Sequence, residues 1–409
     1  MGWTPRPVTH FTKTLLVVVS LLAACAPFAT DIYLPTFPDM TLDLNTSASG
    51  VQLTLMAFLI GAGVGQLFFG PLSDRLGRRM PLIAGTGICV AAGLVSALAS
   101  SIVIVIIARL VQGLSGAAGM VLSRAIITDV ARGAERVRAF NLTTIVLGIA
   151  PVAAPVLGAV FADALGWRGL LLIVVGISAV TFVAAFLFVP ETHHPVAQGA
   201  LNDGDSDAAS GLGIGSRTYL GNMITFVFGF GAMMAYISAS PFVYQNMIGM
   251  NSFWYGMAFG ATALAITVVS TVAARLSHRF APRFLLRIGV GILVGSALVL
   301  VLCVLLPVPT WTVIGPLFTG VGSMGLIFGN ATSLALSAVP QHSVGKASAI
   351  LGAGQFILGA LVAPLVGLGG ESTAAPMAIV FAACACVALT AFLVGRSGEA
   401  VTPDSAVLK

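Results

Sequence analysis

The chain has 409 residues, of which 58% are hydrophobic and only 8% charged, and its mean hydropathy is +1.03. Soluble domains carry about 25% charged residues, so this composition excludes a water-soluble globule and points to a chain that crosses a membrane many times. The net charge of +5 comes without any basic run interleaved with aromatics, which excludes a nucleic-acid binder.

The first apolar run starts near Thr14 and ends near Leu34. It has about the 20 residues that a membrane helix needs, and further spans follow at once, so it reads as a retained helix rather than a cleaved leader. Near its end stands Asp31, within "APFATDIYLPTF". Inserting a carboxylate costs about 2.5–3.5 kcal/mol even on the lenient scale, which makes Asp31 a functional candidate. The plainer alternative is a polar cap at an irregular helix end marked by Pro35 and Pro38. Phe28 and Tyr33 flank Asp31 as candidate cavity residues.

Eleven more runs follow, giving twelve predicted spans near 14–36, 50–71, 80–99, 102–124, 139–161, 168–189, 219–244, 252–274, 284–306, 309–334, 344–367 and 374–395. "GPLSDRLGRR" (70–79) closes the second. Gly70 is expected to bring helices together and Gly77 to allow a tight turn. Asp74 is expected to face helix N-termini at the membrane edge. Arg75, Arg78 and Arg79 anchor the loop, with Arg75 or Arg78 approaching Asp129 at the end of span four. In that span Arg109, Gln112, Gly113, Gly116 and Met120 share one helical stripe. Arg109 lies about 12 Å in from the nearer end, so it needs a partner or a wet cavity. Gly148, Pro151, Pro155 and Gly158 likewise share a face of span five, suited to a bent, close-packed contact with a helix of the other half.

After span six comes a Gly-, Ala-, Asp- and Ser-rich linker that carries His193 and His194, an exposed pair with no expected role. In the second half, Tyr236 and Tyr244 of "YISASPFVYQ" are further cavity candidates. "LSHRFAPRFLL" (276–286) repeats "LSDRLGRRMPL" (72–82) at an offset of 204 residues, and "LGAGQFILGALV" (351–362) repeats "LGIAPVAAPVLG" (147–158) at the same offset. The second loop has His278 for the acid and Ala281 for the glycine. The five cysteines lie in apolar runs without zinc spacing, so no metal or cofactor is expected.

The expected fold is therefore an all-α membrane protein of twelve transmembrane helices in two pseudo-symmetric six-helix bundles. Residues 1–190 form the first bundle, 191–217 a cytoplasmic linker, 218–398 the second bundle and 399–409 a tail. Placing both termini in the cytoplasm puts 17 of the 19 basic residues inside; Arg168 falls outside and Arg109 within a span. Paired halves rocking about a midplane site are a transporter architecture. An enzyme is not expected, since no H-E-x-x-H motif occurs and His is absent from the spans.

The loop signature at 70–79 resembles that of the major facilitator superfamily. "RLVQGLSGAAGM" (109–120) is similar to the fourth-helix motif of its proton-coupled members, and "GIAPVAAPVLG" (148–158) to the fifth-helix motif of its antiporters. "ATDIYLPTFP" and "YISASPFVYQ" further resemble the bicyclomycin and chloramphenicol exporters, the Bcr/CflA branch. The resemblance covers nearly the whole chain and implies proton-coupled antibiotic or multidrug efflux by alternating access, with Asp31, Arg109 and Gln112 in proton coupling or substrate binding. It also implies a bacterial cytoplasmic-membrane protein that works as a monomer, with a small drug, protons and lipid as its partners. A facilitator for a sugar or an organic ion is the alternative.

Overall fold

The computed structural model describes residues 12–192, 213, 215–340, 343–368, 370 and 373–396. The tail, His193, His194 and most of the linker lie outside these. The described elements are helices throughout: α1 (Lys13–Asp31), α2 (Phe37–Asp43), α3 (Ala48–Leu76), α4 (Arg79–Leu98), α5 (Ile102–Val130), α6 (Gly133–Phe188), α7 (Arg217–Phe242), α8 (Ser252–Leu276), α9 (Pro282–Leu305), α10 (Ile314–Gly322), α11 (Met324–Ser337), α12 (Val344–Gly367) and α13 (Ala375–Arg396). Hydroxyls cap several of the described starts: Thr12 accepts from the Leu15 N–H, Ser47 from that of Gly50 and Ser216 from that of Tyr219, each at 3.2 Å.

Among the described residues eleven continuous apolar stretches are long enough to cross a membrane. One of them is double. The 56 residues of α6 would reach about 84 Å at helical rise, nearly three times a hydrocarbon core. Gly166 breaks it, at φ 61° and ψ −176°, a conformation that glycine alone adopts freely. The two arms fold back, because Ala139 from one and Ala185 from the other join the same buried cluster with Leu15, Leu82 and Leu122. With that break counted, the twelve predicted spans are present. Span ten is in two pieces, α10 and α11, which meet at Ser323.

The chain divides into two compact units. One draws its described residues from 1–204, 237–264 and 359–377; the other from 205–236, 265–358 and 378–409. Inside the first unit α3 packs on α5 backbone to backbone. A Cβ at Gly61 would strike the Leu110 carbonyl, and one at Gly113 the Phe58 carbonyl. In lipid no hydrophobic force draws two helices together, so such small-residue contacts supply the dispersion energy that does. In the second unit α9 packs on α10 and α11: a Cβ at Gly289 would lie 2.8 Å from that of Leu326, and Ser296 and Thr319 share a hydrogen bond of 2.9 Å.

Candidate functional site

Arg109 is fully buried in α5 and closes the end of α1. It donates to the Ala29 carbonyl at 2.7 Å, to the Tyr33 hydroxyl at 3.3 Å and to Gln112 Oε1 at 2.9 Å. Its guanidinium sits 4.8 Å from the Tyr33 ring centre and 4.5 Å from that of Phe58. The last carbonyls of a helix lack donors and carry partial negative charge, so a cation set on Ala29 satisfies both needs. The two rings offer a cation their negative faces. Arg109 Nε is buried without a partner.

Asp31, the last residue of α1, is 7% exposed. Among the described residues it makes no ion pair within 4.0 Å, and the polar group beside it is the Thr30 hydroxyl. Arg109 is therefore not its counter-ion. Residues 29 and 33, which Arg109 touches, lie one turn apart on one face, whereas residue 31 falls about 200° away around the helix. The carboxylate is buried near the arginine's anchoring point without being neutralised by it.

At the other end of the bundle, the loop after α3 forms a charge network. Arg78 donates to Asp129 at 3.0 Å, to Asp74 at 2.5 Å and to Ser73 Oγ at 2.7 Å. Burial works against its charge, yet the hydrogen bonds and charges of Asp74 and Asp129 hold it above the usual arginine range. The start of α4 is capped by Glu191, which accepts from the backbone N–H groups of Arg78 at 2.7 Å and Arg79 at 3.1 Å. Arg79 in turn donates to the carbonyls of Val189 and Phe186 at the end of α6, both at 3.0 Å. Gly77 has φ 86°, and a Cβ there would lie 2.5 Å from Glu191 Oε2, so the turn needs glycine twice over. Among the described residues Asp74 pairs with Arg78; the helix start that Glu191 serves is that of α4, whereas the one expected near Asp74 is that of span eleven, around Val344 to Ala347, which belongs to the other unit. Arg75 is exposed. Gly70 brings no helix close: a Cβ there would meet nothing within 4 Å, and its carbonyl accepts from Ser73 at 2.8 Å.

The fifth-span motif lies in the first arm of α6. Its backbone stays helical at Pro151 and Pro155, since Gly166 is the one non-helical position within α6. A Cβ at Gly158 would strike the carbonyl of Ile32, just past the end of α1, while one at Gly256 of α8 would meet Ala159 and lie 2.9 Å from the Pro155 carbonyl. Gly260 faces Val156 in the same way, at 2.6 Å. Gly148 is half-buried. Further ties join segments of both sequence halves at this end, opposite the Gly77 loop and inside the first unit. Gln52 donates to the Ser238 carbonyl at 2.9 Å and Gln245 to that of Pro35 at 2.8 Å, and the Phe37 and Phe242 rings lie 6.2 Å apart.

Of the predicted cavity residues, Phe28 and Met120 are half-buried, but Tyr33, Tyr236 and Tyr244 are almost fully enclosed. Tyr33 shares a hydrogen bond with Thr54 at 3.1 Å, and Tyr244 lies edge-on to Tyr255. Tyr33 and Tyr244 thus take part in contacts between helices. Sequence reasoning missed Glu191, Phe58, Gln52 and Gln245. A polar side chain within a span was the available signal for the two glutamines; Phe58 had none.

Two repeated halves, apolar spans joined by short loops, a buried carboxylate without an ion pair among the described residues and a charged loop network suit a membrane transporter rather than an enzyme. The sequence profile of the Major Facilitator Superfamily matches residues 19–364. The MFS-type transporter YdgK of Bacillus subtilis is 34% identical over 398 residues, which cover 96% of this chain and 97% of that protein. A bicyclomycin resistance protein homolog of Haemophilus influenzae is 29% identical over 391 residues, 93% of this chain and 96% of that one. The crystal structure of a D-xylose-proton symporter shares the fold, with a TM-score of 0.75 at 16% identity, over 96% of this chain and 98% of that one. The chain belongs to the Major Facilitator Superfamily.

Proposed function

We propose that the protein exports small, mostly apolar, drug-like molecules from a bacterial cell in exchange for protons. In this reading it sits in the cytoplasmic membrane with both termini inside, and a single chain is the working unit. The observation that carries the proposal is Asp31, buried at the end of α1 with no basic partner within 4.0 Å among the described residues. The relative named for bicyclomycin resistance supports the substrate class.

The mechanism follows from the parts. The Gly77 loop is the inner end, and the end where Gln52 meets Ser238 is the outer one. Rocking of residues 1–190 against 218–398 breaks the outer ties and opens a path outwards. Asp31 then takes a proton from outside. When the outer end closes, drug arriving from the inside displaces that proton, because the two ligands exclude each other through reciprocal linkage. Arg109 and Gln112 hold the end of α1 in place, so Asp31 moves with its bundle. Pro151 and Pro155 keep their helix shaped for the contact with α8, and the Asp74–Arg78–Asp129 network steadies the inner end.

Asp31→Asn keeps size and polarity but cannot exchange a proton. Purified variant should bind an uncharged drug and release no proton on binding, whereas the parent releases one. Equal proton release from both would remove Asp31 from the coupling role. A susceptibility panel in an efflux-deficient host identifies the compounds, and a metabolite facilitator would protect against none of them.

A further inference from the structure

The α8–α9 loop stands 204 residues after the Gly77 loop and keeps its arginines without its acids. Arg75 and Arg79 return as Arg279 and Arg283, and Arg275 and Arg287 lie on either side. The positions of Asp74, Asp129 and Glu191 fall on His278, Ser333 and Gly395. From residue 208 to residue 370 the chain contains no Asp or Glu. Arg275, Arg279 and Arg287 are exposed, and among the described residues none of them reaches a carboxylate within 4.0 Å.

Two rings sit among these cations. Phe280 is 43% exposed and Phe284 38%, and they stack with centres 5.3 Å apart and planes 25° apart. The Arg287 guanidinium lies 5.2 Å over Phe284. Only residues 277–281 separate the two spans, so the loop cannot rise far from the membrane surface.

We propose that this loop is a binding surface for the headgroup of an anionic phospholipid. Guanidinium groups pair with phosphate through forked hydrogen bonds, and exposed phenylalanine rings beside cations bury into the boundary between headgroups and acyl chains. A soluble anionic partner would have to press into the bilayer surface to reach so short a loop, whereas a lipid phosphate is already at that depth. In the first copy Asp74, Asp129 and Glu191 occupy the arginines and their backbone; in the second the place they left is open to an anion from outside the chain.

The test uses the purified full chain in detergent, with phosphatidylglycerol or phosphatidylcholine added and bound lipid counted by native mass spectrometry. The parent should retain phosphatidylglycerol in preference. Arg279→Ala with Arg287→Ala should weaken that retention about fivefold per arginine. Arg279→Lys with Arg287→Lys keeps the charge but not the fork, and should retain phosphatidylglycerol better than the alanine variant though less well than the parent, which separates lost binding from lost folding. Millimolar inorganic phosphate should not displace the lipid, because the acyl chains hold it in place. Equal retention of both lipids by the parent, unchanged retention by the alanine variant, or displacement by phosphate would each overturn the proposal.

Discussion

Arg78 makes two ion pairs of unequal worth. Its side chain is 10% exposed and that of Asp129 19%, but Asp74 is 62% exposed. A hydrogen bond to a charged group shielded from water contributes about 1.5–3 kcal/mol, whereas an exposed pair contributes about 0–1 kcal/mol. Asp129→Asn should therefore lower the melting temperature in detergent clearly more than Asp74→Asn does; the reverse order would show that the network is organised around Asp74. The sequence made the arginines, Asp74 and Asp129 legible through their spacing in a loop and at a span end. Glu191 was not legible, because a single acid after an apolar run has no periodicity, and its two backbone partners lie more than 110 residues away. Arg109 was readable as a buried cation but not as the cap of α1, since that depends on α1 ending 80 residues earlier, next to α5.

Helix ends and helix contacts separate what hydropathy can report from what it cannot. Span eleven was placed at 344–367, and α12 occupies Val344–Gly367, because turn residues bound its apolar run on both sides. Span four was placed at 102–124, yet α5 continues to Val130, since its last turns are amphipathic and leave the apolar window. The close contacts were less visible. Gly70 belongs to a recognisable motif and meets nothing, whereas Gly61 and Gly113, alike in sequence, hold α3 against α5. Which glycine is pressed depends on the rotation of each helix, and a wholly apolar helix shows little of that. Gly113→Ala drives a methyl into the Phe58 carbonyl and should cost about 1–3 kcal/mol, the range for overpacking. Gly176→Ala meets open space and should be neutral or gain the ~0.5–1 kcal/mol that alanine brings to a helix. Thermal melting of the two variants checks the contrast, and similar losses would mean that chain entropy rather than contact sets the effect.

For the molecule as a whole, duplication gave two bundles of one plan whose electrical content has diverged. The described spans hold no histidine, and Asp31 is the carboxylate that lies buried among them without a cationic partner. If Asp31 is the coupling group, as proposed, one proton moves per cycle through it. Under the proposed exchange, export of a neutral drug then carries one net positive charge inwards, so the cycle is electrogenic. Membrane potential adds about 2.3 kcal/mol per 100 mV for each charge moved. In vesicles, a potassium diffusion potential alone should accelerate transport of a neutral substrate. A monovalent cationic substrate should respond to the pH gradient and not to the potential, because its exchange for one proton moves no net charge. A potential-driven monocation would require a second proton site. Under the proposed exchange the lone carboxylate of α1 would set which drugs a cell can still expel when its pH gradient persists but its membrane potential has collapsed: cations would leave at full force, while neutral compounds would keep only the share of the drive that the proton gradient supplies.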